Sequence, residues 1–436
     1  MLGIHAVNPD ESIIASVAWN LWTEGRLGTD LLAGAIPGIE HHLYWTQPLY
    51  YIVLAGWLGL WGLSLLSVRA LSTVLAFAVL GLLYYEGRLH RHRAAWLASA
   101  LLLCDLFFDY AGTIGRMDML AIALTTGAIV LIGIPERGRR HTIAAGALAA
   151  GAMLTHPLGA AAGVAVFVTI AIRAPRSLVL LIVGALPLVL LWLSYISLDP
   201  VSFGDQMGLQ WARKADIPHS PVYNISRFIG FCGDWWPMAV VLWVGGTVGL
   251  LLDSQRKLPW LAAAASLWPV VLFFGEIVYP AYLAPAAAVG LASLAVRIRR
   301  GPHLVIFIVL VRLSPTVIDP PPLGGIDPDY PAYCAWIEEY LGEDQDVLLG
   351  LLPDPWFGLR HREDLRFHHA PPVVLSEVLL HAYVYVADVT VVGGYNPPGF
   401  FSVLHNWEQI GVRGQKLWVM EHGGMVDFGK LLAESQ

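Results

Sequence analysis

Long apolar runs separated mostly by short loops leave this chain few ways to fold. They fall near 67–86, 92–111, 117–134, 141–156, 158–172, 177–198, 235–252, 259–276, 280–297 and 303–318. Inside a bilayer every backbone N–H and C=O must find its partner within the protein. Runs of about this length therefore read as membrane-crossing helices. Hydrophobic residues make up 56% of the 436 and charged residues 14%, and the mean hydropathy is +0.61. An ordinary soluble domain is excluded, and the class is that of a polytopic membrane protein.

The loops orient the chain. Alternate ones are basic: "GRLHRHR" (87–93), "ERGRR" (136–140), "RAPR" (173–176), "QRK" (255–257) and "RIRR" (297–300) hold thirteen Lys and Arg between them. The intervening loops carry almost none beyond Arg116 and the three bases of 199–234. The excess of Lys and Arg puts the basic set on the cytosolic side. Residues 1–66, "TIGRMD", "LTHPLG", 199–234, "GEIVYPAYL" and 319–436 then lie outside. The stretch 48–66, "PLYYIVLAGWLGLWGLSLL", could be a span. However, the segment before it has one Arg against five acids, and Tyr50, Tyr51, Trp57 and Trp61 suit a helix lying in the interface,. On that reading the chain starts outside the membrane, which requires a preceding span or an upstream start.

Three regions follow: an extracytoplasmic loop with interfacial helices over 1–66, a transmembrane helical domain over 67–318, and a tail over 319–436. The tail holds 17 acids and 6 bases, against 16 and 20 before it. Its "YPAYCAWIEEYLG" (330–342) has helical spacing, and 346–352, 382–394 and 416–422 have strand character, which predicts a small α/β domain. The overall fold class is all-α and polytopic, with about ten transmembrane helices. The net charge of −7 and the lack of a basic block argue against nucleic acid as a partner,. Cys104, Cys232 and Cys334 are far apart and form no metal or redox motif,.

Polar groups collect on the outer side. Asp10 and Glu11 open a helix, Arg116 and Asp118 stand at the mouth of one span in "GRMDM", and His156 ends another in "LTHPLG". Asp105 and Asp109 are spaced four apart at membrane depth, where an ionisable group is costly and usually meets a cavity or a partner. Each group also has a plainer reading: Asp118 as a helix cap, Arg116 as a headgroup anchor and His156 as a structural residue.

In their order and shared sidedness these groups, with "PLYY" (48–51) and the "YPAYLAP" (279–285) that contains Tyr282, resemble the GT-C membrane glycosyltransferases. The branch is that of the protein O-mannosyltransferases and the lipid A aminoarabinose transferase. The resemblance covers the whole membrane body. It implies transfer of a sugar from a polyprenyl-phosphate donor to an extracytoplasmic lipid, glycan or protein acceptor, at a hydroxyl or phosphate and with inversion. Carried over, Asp10 is the candidate catalytic base and Glu11 its neighbour. Arg116, Asp118, His156, Asp109, Gln47 and Tyr282 are candidates for the substrate site. The lipid-linked sugar is a co-substrate, and no divalent metal is indicated. The chain departs from its relatives in three ways: Thr46-Gln47-Pro48 stands where Lys-Pro-Pro is common, His156 where many have Lys, and the first family helix is missing.

A transporter would instead carry its charges at mid-bilayer on repeated or broken helices, and no internal repeat is present. A non-catalytic envelope glycan assembly protein would keep the topology without needing the acids. The charge asymmetry makes the sidedness testable. On intact cells an impermeant thiol reagent should label a cysteine placed at position 345 and spare one placed at position 90; the opposite pattern would reverse the topology.

Overall fold

The computed structural model describes residues 7–33, 36–89, 96–134, 138–215, 219–255, 257–318, 330–338, 341, 343, 346–349, 354–369, 389–393, 408–412 and 415–420. Asn8 begins its first helix. The Asn8 side chain accepts from the Asp10 N–H at 2.9 Å, and the Glu11 carboxylate accepts from the Asn8 N–H at 3.0 Å. This capping box, with Pro9 at the first helical position, starts α1 (Pro9–Glu24), and Gly25 ends it at φ 71, a left-handed backbone that favours glycine,. The cap is Asn8, so Asp10 is left for other work.

Next come α2 (Leu49–Trp61) and α3 (Leu65–Leu89). Tyr50 and Tyr51, expected at the headgroups, are buried in the apolar cluster that α2 shares with α1, whereas Leu60 and Trp61 at the far end of α2 are exposed. The run expected as one span over 92–111 is divided into α4 (Leu97–Leu102) and α5 (Leu106–Thr113). The break is at Asp105, whose extended backbone leaves the helix and whose side chain caps α5 through the Phe108 N–H at 2.8 Å,. Asp105 and Asp109 therefore do not share one helix face: the first is the cap of the helix that carries the second.

The body continues with α6 (Asp118–Gly133), α7 (Arg139–Met153), α8 (Ala160–Arg173), α9 (Leu178–Ile196), α10 (Pro200–Ala215), α11 (Pro221–Cys232), α12 (Trp236–Leu252), α13 (Leu258–Phe274), α14 (Tyr279–Arg297) and α15 (Gly301–Ile318). Among the described residues four stretches are long and apolar enough to cross a membrane: Leu65–Leu89, Pro175–Ile196, Pro221–Leu252 and Tyr279–Arg297. The α5–α6 pair, bent by 118°, makes a fifth. This is fewer than the ten runs in the sequence. Helices such as α8 and α13, of 14 and 17 residues, rise only about 21–26 Å against a hydrocarbon core of about 30 Å.

Small residues let the helices touch backbone to backbone. A Cβ on Gly246 of α12 would strike the Ala287 carbonyl of α14, one on Gly290 would strike the Gly246 carbonyl, and one on Gly184 of α9 would strike the Ile143 carbonyl of α7,. The helix that opens with "YPAYLAP", α14, is buried along most of its length.

Beyond α15 lie α16 (Tyr330–Glu338) and α17 (Trp356–Leu359), together with the strands β1 (Asp346–Leu349), β2 (Arg366–His369), β3 (Val389–Gly393), β4 (Glu408–Val412) and β5 (Gln415–Met420). The sheet order is β2-β1-β3-β5-β4, parallel through β2-β1-β3 and antiparallel through β3-β5-β4. The remainder of the strands expected over 346–352, 382–394 and 416–422 lies outside the described residues. Hydrogen bonds tie this part of the chain to residues near α1 and α2: the Asp354 N–H donates to the Val7 carbonyl at 2.9 Å, and Arg360 donates to the Leu63 carbonyl at 2.8 Å.

A fully buried polar link joins α1 to α3. Arg69 donates through Nε and Nη2 to the two Glu11 oxygens at 2.8 and 2.9 Å, and both side chains are fully buried. The Gly115 N–H adds a bond to Glu11 Oε1 at 2.7 Å. Removing one member of such a pair strands the other charge, at a cost of about 3–5 kcal/mol. Glu11→Ala should therefore lower the thermal midpoint of the detergent-solubilised protein sharply, and Glu11→Leu combined with Arg69→Met should restore most of it. An unchanged midpoint for Glu11→Ala would contradict this assignment.

Candidate active site

The turn between α5 and α6 is built around Gly115. Its N–H is held by Glu11, and a Cβ there would run into the Val68 side chain, so the bend passes close against α3 only because the residue is glycine,. The next residue, Arg116, is thereby aimed at the start of α1. Its Nη1 donates to Asp10 Oδ2 and its Nε donates to Asp118 Oδ2 at 3.0 Å. The Asp118 side chain, at the first position of α6, is fully buried, whereas that of Asp10 keeps 41% of its surface exposed. One guanidinium therefore bridges a hidden carboxylate and an open one.

Behind this bridge, Tyr282 of α14 donates its hydroxyl to Asp118 Oδ1 at 3.1 Å. His156 sits in the turn between α7 and α8, outside both helices. Its Nδ1 accepts from the Leu158 N–H at 3.2 Å. In the neutral ring the proton is then on Nε2, which faces Asp118 Oδ1 at 4.0 Å,. The ring lies against Tyr282 and Tyr279, with centroids 5.3 and 6.0 Å apart. Burial pushes the imidazole down to about 4, more than the nearby Asp118 raises it,. At neutral pH His156 is a neutral hydrogen-bonding group and does not act as a cation.

A further basic side chain reaches the cluster from α10: Lys214, whose ammonium pKa is pushed down to about 7 by burial and by the nearby Arg213 and Arg116,. Lys214 contacts the Glu276 carboxylate, donates to the Tyr279 hydroxyl at 3.0 Å and lies 5.4 Å from the Tyr279 ring centre. The preceding Arg213 lies over the Trp45 ring at 5.7 Å.

The structure thus gathers Asp10, Arg116, Asp118, His156 and Tyr282 into one network. Glu11 is next to it but turned into the core. Gln47 is half-buried in the turn before α2. The Leu49 N–H, two residues on, donates to the Leu154 carbonyl at 3.0 Å, which brings this turn to the end of α7 near His156. Asp109 instead pairs with Arg312 of α15 at 3.3 Å, and the Arg312 guanidinium lies over the Trp235 ring at 5.5 Å. Asp105 accepts from Trp243 Nε1 at 3.0 Å. Among the described residues no three His, Cys, Asp or Glu side chains gather as a cation cage.

Sequence reasoning missed Arg69, Lys214 and Tyr279. Arg69 had a signal, being a charge just inside an apolar run, which calls for a partner. Lys214 adjoins Arg213 in the 199–234 segment, but nothing in the sequence near it points to Glu276.

No protein-family model matches the sequence, and no curated protein matches it. Solved structures do resemble it. ArnT from Cupriavidus metallidurans bound to undecaprenyl phosphate superposes with a TM-score of 0.59 at 13% identity, over 95% of this chain and 94% of that one. The apo state of the same protein gives 0.56 at 13% identity, over 96% and 94%. The archaeal oligosaccharyltransferase AglB from Archaeoglobus fulgidus, in complex with an inhibitory peptide and a dolichol-phosphate, gives 0.51 at 12% identity, over 89% of this chain and 66% of that one. The chain has the GT-C fold that these structures share.

The buried imidazole makes stability depend on pH. Its folded pKa of about 4 lies below the ordinary 6.5, so the unfolded chain takes up this proton first as pH falls. Stability should be full above pH 6.5 and decline towards pH 4. His156→Gln keeps a neutral polar side chain that does not titrate, and should flatten this acid-side decline in thermal midpoint. Parallel pH profiles for both proteins would reject the assignment.

Proposed function

We propose that this chain is a membrane glycosyltransferase that moves a sugar from a polyprenyl-phosphate donor to an acceptor hydroxyl or phosphate, with inversion, at the extracytoplasmic face. The observation that supports this most directly is the bridged pair of carboxylates. Open Asp10 faces Arg116, while Asp118, itself bonded by Tyr282 and neighboured by His156, holds the guanidinium from behind and Lys214 flanks them. The fold is one in which solved relatives carry undecaprenyl phosphate and dolichol-phosphate.

The reaction needs two things. An acceptor hydroxyl is a poor nucleophile and gains from a carboxylate that takes its proton as the new bond forms. Asp10 is the open carboxylate of the cluster and serves as this base. The acceptor oxygen attacks the anomeric carbon from the side opposite the phosphate. The C–O bond to phosphate then breaks, and its electron pair leaves with the lipid phosphate. That developing charge needs positive partners fixed in advance, and Arg116 and Lys214 provide them. Asp118 and the Tyr282 hydroxyl keep the guanidinium in place, and neutral His156 and Gln47 offer hydrogen bonds to the sugar. A phosphate acceptor arrives already ionised, and Asp10 then orients it instead of deprotonating it. Glu11 acts as a positioning residue through Arg69 and Gly115.

The loop charges support an outer-face location for this cluster, where a lipid-linked sugar is presented without leaving the bilayer,. Asp10→Asn keeps the shape, and the helix retains its Asn8 cap, so the variant should fold normally. Its turnover should fall by about 10²–10⁴, as is typical when general-base help is lost. Arg116→Lys should raise the donor KM, since a point charge cannot bridge as a fork does. Release of polyprenyl phosphate from a lipid-linked sugar by the purified protein measures both effects. Full transfer activity in Asp10→Asn would overturn the mechanism.

A further inference from the structure

The side-chain amide of Gln206 is fully buried in α10 and joins two segments far apart in sequence. Its Oε1 accepts from the Tyr44 and Trp45 N–H groups, each at 2.7 Å, and its Nε2 donates to the Pro37 and His42 carbonyls, each at 2.9 Å. A primary amide has two donors and two acceptor lone pairs, and all four are used here.

Neighbouring contacts repeat the join. Gln210, one turn on, donates to the Trp45 carbonyl at 2.8 Å, and Arg213 covers the Trp45 ring. On the other side the Tyr44 hydroxyl donates to the Tyr195 carbonyl at 3.0 Å, and its ring packs on Tyr195 and Phe203. Residues 37–45 and α10 are thus one body. Both of its ends lead to the proposed site: the loop runs into Gln47 and α2, and α10 delivers Lys214 to Glu276 and Tyr279. From Gln206 to Lys214 is eight residues, a rise of about 12 Å along a single rigid helix.

We infer that Gln206 is a positioning residue for the lipid-phosphate site, fixing α10 on the loop so that the Lys214 ammonium stands where the donor phosphate binds. This rests on the reading of the chain as a polyprenyl-phosphate enzyme. Gln206 touches no substrate, and its effect passes through Lys214. Gln206→Met keeps the length and leaves four backbone groups without their partner. Gln206→Glu keeps the acceptor oxygen but sets a second oxygen against the Pro37 and His42 carbonyls.

The test is equilibrium binding of polyprenyl phosphate to the purified full chain, which does not depend on transfer. Gln206→Met and Gln206→Glu should each weaken binding by about tenfold, the equivalent of one lost charge-assisted contact. Lys214→Ala alone should do the same, and adding Gln206→Met to it should weaken binding no further, because the two substitutions remove one interaction. Comparison is made on the folded, monodisperse fraction of each variant, so a loss of yield does not count as a loss of affinity. Unchanged affinity in Gln206→Met, or a full additional loss in the double variant, would overturn the positioning role while leaving the glycosyltransferase reading intact. Failure of the unaltered protein to bind polyprenyl phosphate would overturn the donor assignment, and the role of Gln206 with it.

Discussion

The Glu11–Arg69 pair sets the geometry on which the site depends. Two full charges have left water here, so the pair adds little to stability compared with apolar residues of the same volume. What it contributes is register. Glu11 collects Arg69 from α3, the N–H of Gly115 from the α5–α6 turn and the N–H of Asn8 from its own cap. Three segments converge on one carboxylate. The two residues that face each other in the proposed site, Asp10 and Arg116, are the chain neighbours of two groups anchored there. Their opposition follows from the anchoring of Glu11 and Gly115.

Charge in the cluster is locally compensated. Arg116 is shared by Asp10 and Asp118, Lys214 is held by Glu276, and Arg69 by Glu11. Uncompensated cations at this depth would be costly. On the proposed reading, a phosphate that binds Arg116 and Lys214 would exchange for carboxylates already in place. Asp10 is the exposed carboxylate of the cluster, and on the proposed reading its displacement would free it for the acceptor.

Much of the site was legible because its parts fall in loops of one expected sidedness and in a recognisable order. Asp10-Glu11, Arg116, Asp118, His156 and Tyr282 could all be found that way. The division of labour between Asp10 and Glu11 could not: adjacent helical residues point about 100° apart, and which one faces the core depends on Arg69, 58 residues further along. The run over 92–111 read as one helix because its apolar residues are continuous, and only a three-dimensional partner, Trp243, shows why Asp105 breaks out of it. The burial of Tyr50 and Tyr51 likewise depends on α1 covering them. Gln206 was invisible for a related reason. Its partners lie more than 160 residues away, and a lone Gln on an amphipathic helix carries no local sign of being buried.

The bond from the Asp354 N–H to the Val7 carbonyl has a consequence for synthesis. Val7 is the residue just before the Asn8 cap, and Asp354 is fully buried, with its carboxylate 3.0 Å from His369 and its carbonyl bound by the Tyr330 hydroxyl. The ribosome makes the lead-in to α1 long before its fastening. At about 5–20 residues per second, the roughly 350 residues in between take about 20–70 s. Through that interval α1 can be inserted and capped while its leading end is still unfastened. The nascent chain thus passes through a long stage in which the segment bearing Asp10 is not yet locked, and that segment is fastened only once Asp354 has been made and folded.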